Sequence, residues 1–135
     1  MAKRRTWEIT FSTDKFRPFL PEFHQVNTDL YGYELADWLT RQLAARGIHT
    51  SYPNWEDWGW YLEHVSDAEE EVWIRCSSDW RGPDAGPMDW QVLFEQRGKL
   101  NKGSVSPHPV EAIRKAVLSL LAEENIQAKE VEWPL

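Results

Sequence analysis

The chain has 135 residues, 41% hydrophobic and 27% charged, a composition that excludes disorder and lets one domain bury a core without metal or disulfide help. No stretch approaches the roughly 20 apolar residues of a membrane helix. The net charge of −7, from 22 acids and 15 bases, argues against non-specific nucleic-acid binding, which depends on neutralising phosphates with Lys and Arg. The single cysteine, Cys76, fits a reducing compartment. The basic residues Lys3, Arg4 and Arg5 lead straight into Trp7 rather than into an apolar signal-type stretch, so the expected location is cytoplasmic. Between Asn54 and Glu95 stand eleven acids and only two bases, Arg75 and Arg81, a net −9 that leaves +2 for the rest of the chain.

In chain order, Trp7, Ile9 and Phe11 alternate with polar residues and predict a half-buried strand. Residues 12–29 hold Pro18 and Pro21 without a period and read as a loop. Residues 31–46 predict a helix, with Leu35, Trp38, Leu39 and Leu43 on one face, Thr28 or Asp29 as the cap, and Gly47 at the C-terminal stop. Residues 48–52 predict a short strand ending at Pro53. Alternation then predicts strands over 58–65, with Trp58, Trp60 and Leu62 inward; over 70–77, with Val72, Ile74 and Cys76 inward; and over 89–96, with Trp90, Val92 and Phe94 inward. The Gly- and Pro-bearing residues 78–88 form a loop between the last two. Ser106 as cap and Pro107 at the first turn open a second helix, with Val110, Ile113, Val117, Leu120 and Leu121 as its buried stripe. Residues 129–133 make a last strand. The expected fold is a single α+β domain over 1–135: a mainly antiparallel sheet of about five strands, with two amphipathic helices packed on one face.

Two stretches, Tyr31-Gly32-Tyr33-Glu34-Leu35-Ala36 and Glu56-Asp57-Trp58-Gly59-Trp60, resemble segments of small uncharacterised bacterial proteins in which a Tyr-Gly-x-Glu-Leu-Ala helix precedes a Glu-Asp-Trp-Gly-Trp strand start. The resemblance spans residues 25–95. It implies a bacterial source and brings no catalytic residue with it.

The chain is rich in tryptophan, with nine. Trp7, Trp38, Trp58, Trp60 and Trp90 fall on predicted buried stripes. Trp73 lies between Val72 and Ile74 and so points away from the core, and Trp80 sits in the Gly/Pro loop. The predicted open face collects Glu8 and Thr10, Tyr61 and Glu63, Glu71, Trp73 and Arg75, then Gln91, Leu93 and Glu95, with Glu130 and Glu132 joining from the last strand. Together with Asp79 and Trp80 from the loop, residues Tyr61, Glu63, Glu71, Trp73, Arg75, Leu93 and Glu95 are the candidate partner-binding set: apolar anchors in an acidic rim. The competing expectation is a solvated face covered by the loop at 78–88.

Catalytic patterns are weak. Glu56 and Asp57 are adjacent on a strand and point to opposite faces, so they form no acid/base dyad. His24, His49, His64 and His108 lack metal-type spacing, and no cofactor motif occurs. A Cys76–His64 nucleophilic pair is conceivable, against an inert buried cysteine. Three functional expectations follow. One is a protein-interaction module for a basic protein partner, such as an immunity or antitoxin-like protein covering a cationic nuclease site, or a self-associating face. The second is a small-ligand or carbohydrate binder using Tyr61, Trp73 and Trp80. The third, an enzyme, has no constellation to support it.

Overall fold

The computed structural model describes residues 5–17, 32–56, 59–66, 70–78, 86–97 and 108–134. They form strand β1 (Arg5–Thr13), helix α1 (Tyr33–Ala45), strands β2 (Asn54–Glu56), β3 (Gly59–Val65), β4 (Glu71–Ser78) and β5 (Met88–Arg97), helix α2 (His108–Glu123) and strand β6 (Ala128–Pro134). The sheet has six strands rather than about five, in the order β2-β3-β4-β5-β1-β6, with every pairing antiparallel.

Period-2 alternation places Trp7, Ile9 and Phe11, Leu62, Val72, Ile74 and Cys76, and Trp90, Val92 and Phe94 on one side, all buried. The helices cover that side. Leu35, Leu39 and Leu43 of α1 and Val110, Ile113, Val117 and Leu121 of α2 are buried by the same logic at a period of 3.6. Ion pairs tie helix to helix and helix to sheet: Arg46 at the end of α1 to Glu123 of α2, and Arg114 of α2 to Glu130 of β6. The outer strands resist further pairing. Strand β2 is only 3 residues long and follows Pro53, and β6 carries Lys129, Glu130 and Glu132. No helix among the described residues is long and apolar enough to cross a membrane.

The structure corrects several expectations. Residues 48–52 are not a strand; the edge strand is β2, just beyond Pro53. The segment still runs beside β3, through Ser51 N–H to Glu63 O at 2.8 Å and Glu63 N–H to Ser51 Oγ at 3.0 Å, but a serine side chain replaces the ladder's second backbone partner. Helix α1 is capped by Gly32, without a side-chain bond, and Thr28 and Asp29 lie outside the described residues, as do Ser106 and Pro107 before α2. Phe16, assigned to a loop, is a core residue: it is 3% exposed and its ring lies 5.0 Å from Trp38 and 6.0 Å from Trp90. Trp38 and Trp60 are half-buried at the margin of the core.

The two glycine-bearing stretches meet in space. Gly32 and Gly59 have φ of 152° and 149°, and a Cβ on either would lie 2.7 or 2.6 Å from the same atom, the Cys76 carbonyl oxygen. Tyr33 packs edge-on against Trp60 at 5.1 Å beside them.

Cys76 is fully enclosed, and burial pushes its thiol from an ordinary 9.0 up to about 12. Cys76 pairs with Trp60 while His64 pairs with Val72. Four residues along a strand is roughly 13 Å, so the two are not a nucleophilic pair. His64 Nδ1 instead donates to the His49 carbonyl at 2.7 Å. The native state therefore holds the Cys76 proton where the unfolded chain has lost it, and stability falls as pH rises from 9.0 toward about 12. The stability difference between wild type and Cys76→Ala is expected to shrink by about 1.4 kcal/mol per pH unit in that window. Urea melts of both proteins at several pH values measure it.

Candidate functional site

The sheet face opposite the helices carries the site. Strand register sets its residues in cross-strand rows, with neighbours in a row about 4.8 Å apart. One row reads Tyr61, Arg75, Leu93, Glu8, Val131; the next reads Glu63, Trp73, Glu95, Thr6. Seven of the nine predicted site residues are thus brought onto one face. Asp79 and Trp80 lie outside the described residues.

At its centre Tyr61 stacks on Trp73, with centroids 4.9 Å apart and planes within 4°. The Arg75 guanidinium lies 5.8 Å from the Trp73 ring centroid and bridges to Glu95 at 3.0 Å. Glu95 is therefore not a rim acid: it is only 7% exposed, its charge answered by Arg75. The free negative charge comes from the acids bordering the stack. Glu63 pairs directly with Trp73, and Glu71 Oε2 accepts a long hydrogen bond from Trp73 Nε1 at 3.5 Å. Glu56 closes the β2 side. The Tyr61 hydroxyl registers this field: desolvation first, then Glu63 and Glu56, raise its pKa above the ordinary 10.0. Glu63→Gln is expected to lower the Tyr61 titration toward 10.0, read from its ring carbon shifts by NMR.

Sequence reasoning missed Val65 and Val131. They are 56% and 44% exposed, and their partners Glu71 and Glu8 put them on the open face. Strand parity would have found Val65, whereas Val131 is placed only by its pairing with Glu8. Sequence reasoning also misplaced Glu130, which pairs with Ile9 on the helix side and meets Arg114 there; the register partner of Glu132 is Trp7. Lys129 and Val131 are the β6 residues that share the open face. Trp55, on the edge strand, is 52% exposed, and neighbouring Tyr52 is 87% exposed.

The face holds aromatic and aliphatic anchors, one neutralised arginine and several uncompensated carboxylates. Among the described residues no group of three or more His, Cys, Asp or Glu could hold a metal ion. Compared with known proteins, the chain matches no protein-family model, no curated protein and no solved structure.

Proposed function

We propose that the open sheet face is a docking surface for a basic protein partner. The observation that carries this is the half-buried Tyr61–Trp73 stack, continued by half-buried Leu93 and the exposed Val65 and Val131, on the face turned away from both helices and bordered by Glu56, Glu63 and Glu71. Exposed apolar groups framed by charge mark interaction surfaces, and the sign of the frame selects the partner. In its sharpest form the protein acts in the cytoplasm as an immunity or antitoxin-like protein, covering a cationic site of the kind that a nuclease uses to hold phosphates. Aromatic stacking of a sugar on Trp73 is the weaker reading, because Tyr61 and Trp73 each spend one ring face on the other.

The test begins with partners retained by the tagged protein from its own cells at low salt, identified and purified. Association with a basic partner should slow roughly tenfold or more between low and physiological ionic strength, because the acidic frame steers the encounter. A neutral or acidic partner, or a rate indifferent to salt, contradicts the proposal. So does a stable homodimer that buries the face.

A further inference from the structure

A concavity opens at one end of the sheet, where β1 ends, β5 begins and α2 turns into β6. It is a cleft of about 970 Å³, close to the upper end of the roughly 300–1,000 Å³ usual for small-molecule sites. It lies at one end of the same open face, since Thr10 and Gln91 share the parity of Glu8 and Leu93 and Lys129 shares that of Val131, but its chemistry differs from that around Tyr61 and Trp73. Five hydroxyls line it, from Thr10, Ser12, Thr13, Ser77 and Ser78. The amides of Gln91, Asn125 and Gln127 join them.

Several of these groups are already held in place. Ser12 Oγ donates to Asp89 Oδ1, Ser78 Oγ donates to the Asp89 carbonyl at 2.8 Å, and Ser77 Oγ donates to Gln91 Oε1 at 3.3 Å. The Ser12 bond orients the exposed Asp89 carboxylate and leaves Oδ2 to accept. The far wall is the α2–β6 turn. It is pinned by Asn125 at φ 60°, by Ile126 N–H to Leu121 O at 2.9 Å, and by Lys15 to Glu124 at 3.2 Å. Preorganised donors and acceptors lower the entropic cost of binding.

We propose that this cleft binds a neutral polyhydroxylated ligand of mono- or disaccharide size. Hydroxyls and amides both donate and accept, as sugar hydroxyls do, and a fixed carboxylate accepts from a vicinal pair. An anion fits poorly: Lys129 is the one base among the described lining residues, against Asp89 and Glu124. A purely apolar ligand would strand the hydroxyls and amides without partners.

The experiment is isothermal titration, with tryptophan emission in parallel, of the full chain against glucose, galactose, mannose, N-acetylglucosamine, maltose and sucrose, with inorganic phosphate and butanol as controls. At least one neutral sugar should bind saturably at millimolar level. Asp89→Asn and Gln91→Ala should each weaken it by roughly tenfold, as loss of a charge-assisted or paired hydrogen bond does, while both variants melt within a few degrees of wild type. The assignment is overturned if no sugar saturates up to tens of millimolar, if phosphate or butanol binds as well as the sugars, or if binding survives Asp89→Asn. Sugar binding lost in Trp73→Ala instead would overturn the assignment by moving the site to the Tyr61–Trp73 stack. Partner binding is read separately, so either proposal can fail alone.

Discussion

Replacing Gly59 by alanine is expected to cost the fold about 3 kcal/mol or more, with Gly32→Ala close behind. Two independent terms set that size. At φ of 149° and 152° an L-residue occupies backbone space that only glycine enters readily, at about 1–3 kcal/mol. The new Cβ would also stand 2.6 or 2.7 Å from the Cys76 carbonyl oxygen, a backbone atom of a central strand that cannot swing aside as a side-chain tip could. Overpacking of this kind adds about 1–3 kcal/mol. Domains of this size have only about 5–15 kcal/mol in hand, so the melting temperature should fall by more than about ten degrees. Gly47 supplies the contrast. Its φ is 82°, but nothing lies within 4 Å of its would-be Cβ, so Gly47→Ala should lose only about 1 kcal/mol. Because Gly32 and Gly59 crowd one carbonyl, once β4 has shifted for one substitution it has partly made room for the other. The double variant should therefore lose less than the sum of the singles. Denaturant melts of all four variants read this directly, and a Gly59→Ala protein no weaker than Gly47→Ala would show that the close approach is wrong.

Truncating Trp73 should give the largest loss in partner binding. Trp73→Ala removes the ring on which Tyr61 stacks and over which Arg75 lies, at the middle of the face. Central aromatic anchors of this type are worth about 2–4 kcal/mol when cut to alanine, which is roughly 30- to 1,000-fold in Kd. The same change should cost the free protein only about 1 kcal/mol, the order of an aromatic pair on a solvated sheet face. Trp90, buried on the opposite side of the sheet, should reverse the pattern, with Trp90→Ala costing about 3–5 kcal/mol of stability as a core tryptophan does. Calorimetry with the purified partner and thermal melts of the two variants separate the roles. Trp73→Ala binding as wild type while melting like Trp90→Ala would make Trp73 a packing residue.

Much of this arrangement is legible from local pattern. Two-residue alternation through Val72–Cys76 and Trp90–Phe94 places Trp73, Arg75, Leu93 and Glu95 together on one face, because the pleat leaves no other choice once the apolar side is covered. The helix stripes follow equally from period. What local pattern lacks is register and tertiary context. Glu130 belongs to a short polar strand with no buried stripe to set its parity, so only its pairing with Ile9 reveals that it faces Arg114. Glu95 reads as a surface acid until Arg75 is seen beside it on the next strand. Phe16 has no periodic neighbours, because a turn rather than a strand or helix delivers it to the core. The Gly32 contact at Cys76 joins residues over 40 positions apart, and the cleft gathers residues from β1, β4, β5 and the α2–β6 turn. No sequence window contains either.

The central claim is physical: Trp73 stands on an accessible face whose potential is negative. Incorporating 5-fluorotryptophan, assigning the Trp73 fluorine signal by its loss in Trp73→Phe, and adding cationic or anionic paramagnetic probes at equal concentration measures both properties at once. The account predicts broadening of the Trp73 signal by both probes, stronger for the cation, with the difference fading as salt is added and the Trp90 signal left sharp. A Trp73 signal as protected as that of Trp90, or broadened more by the anion, would contradict it.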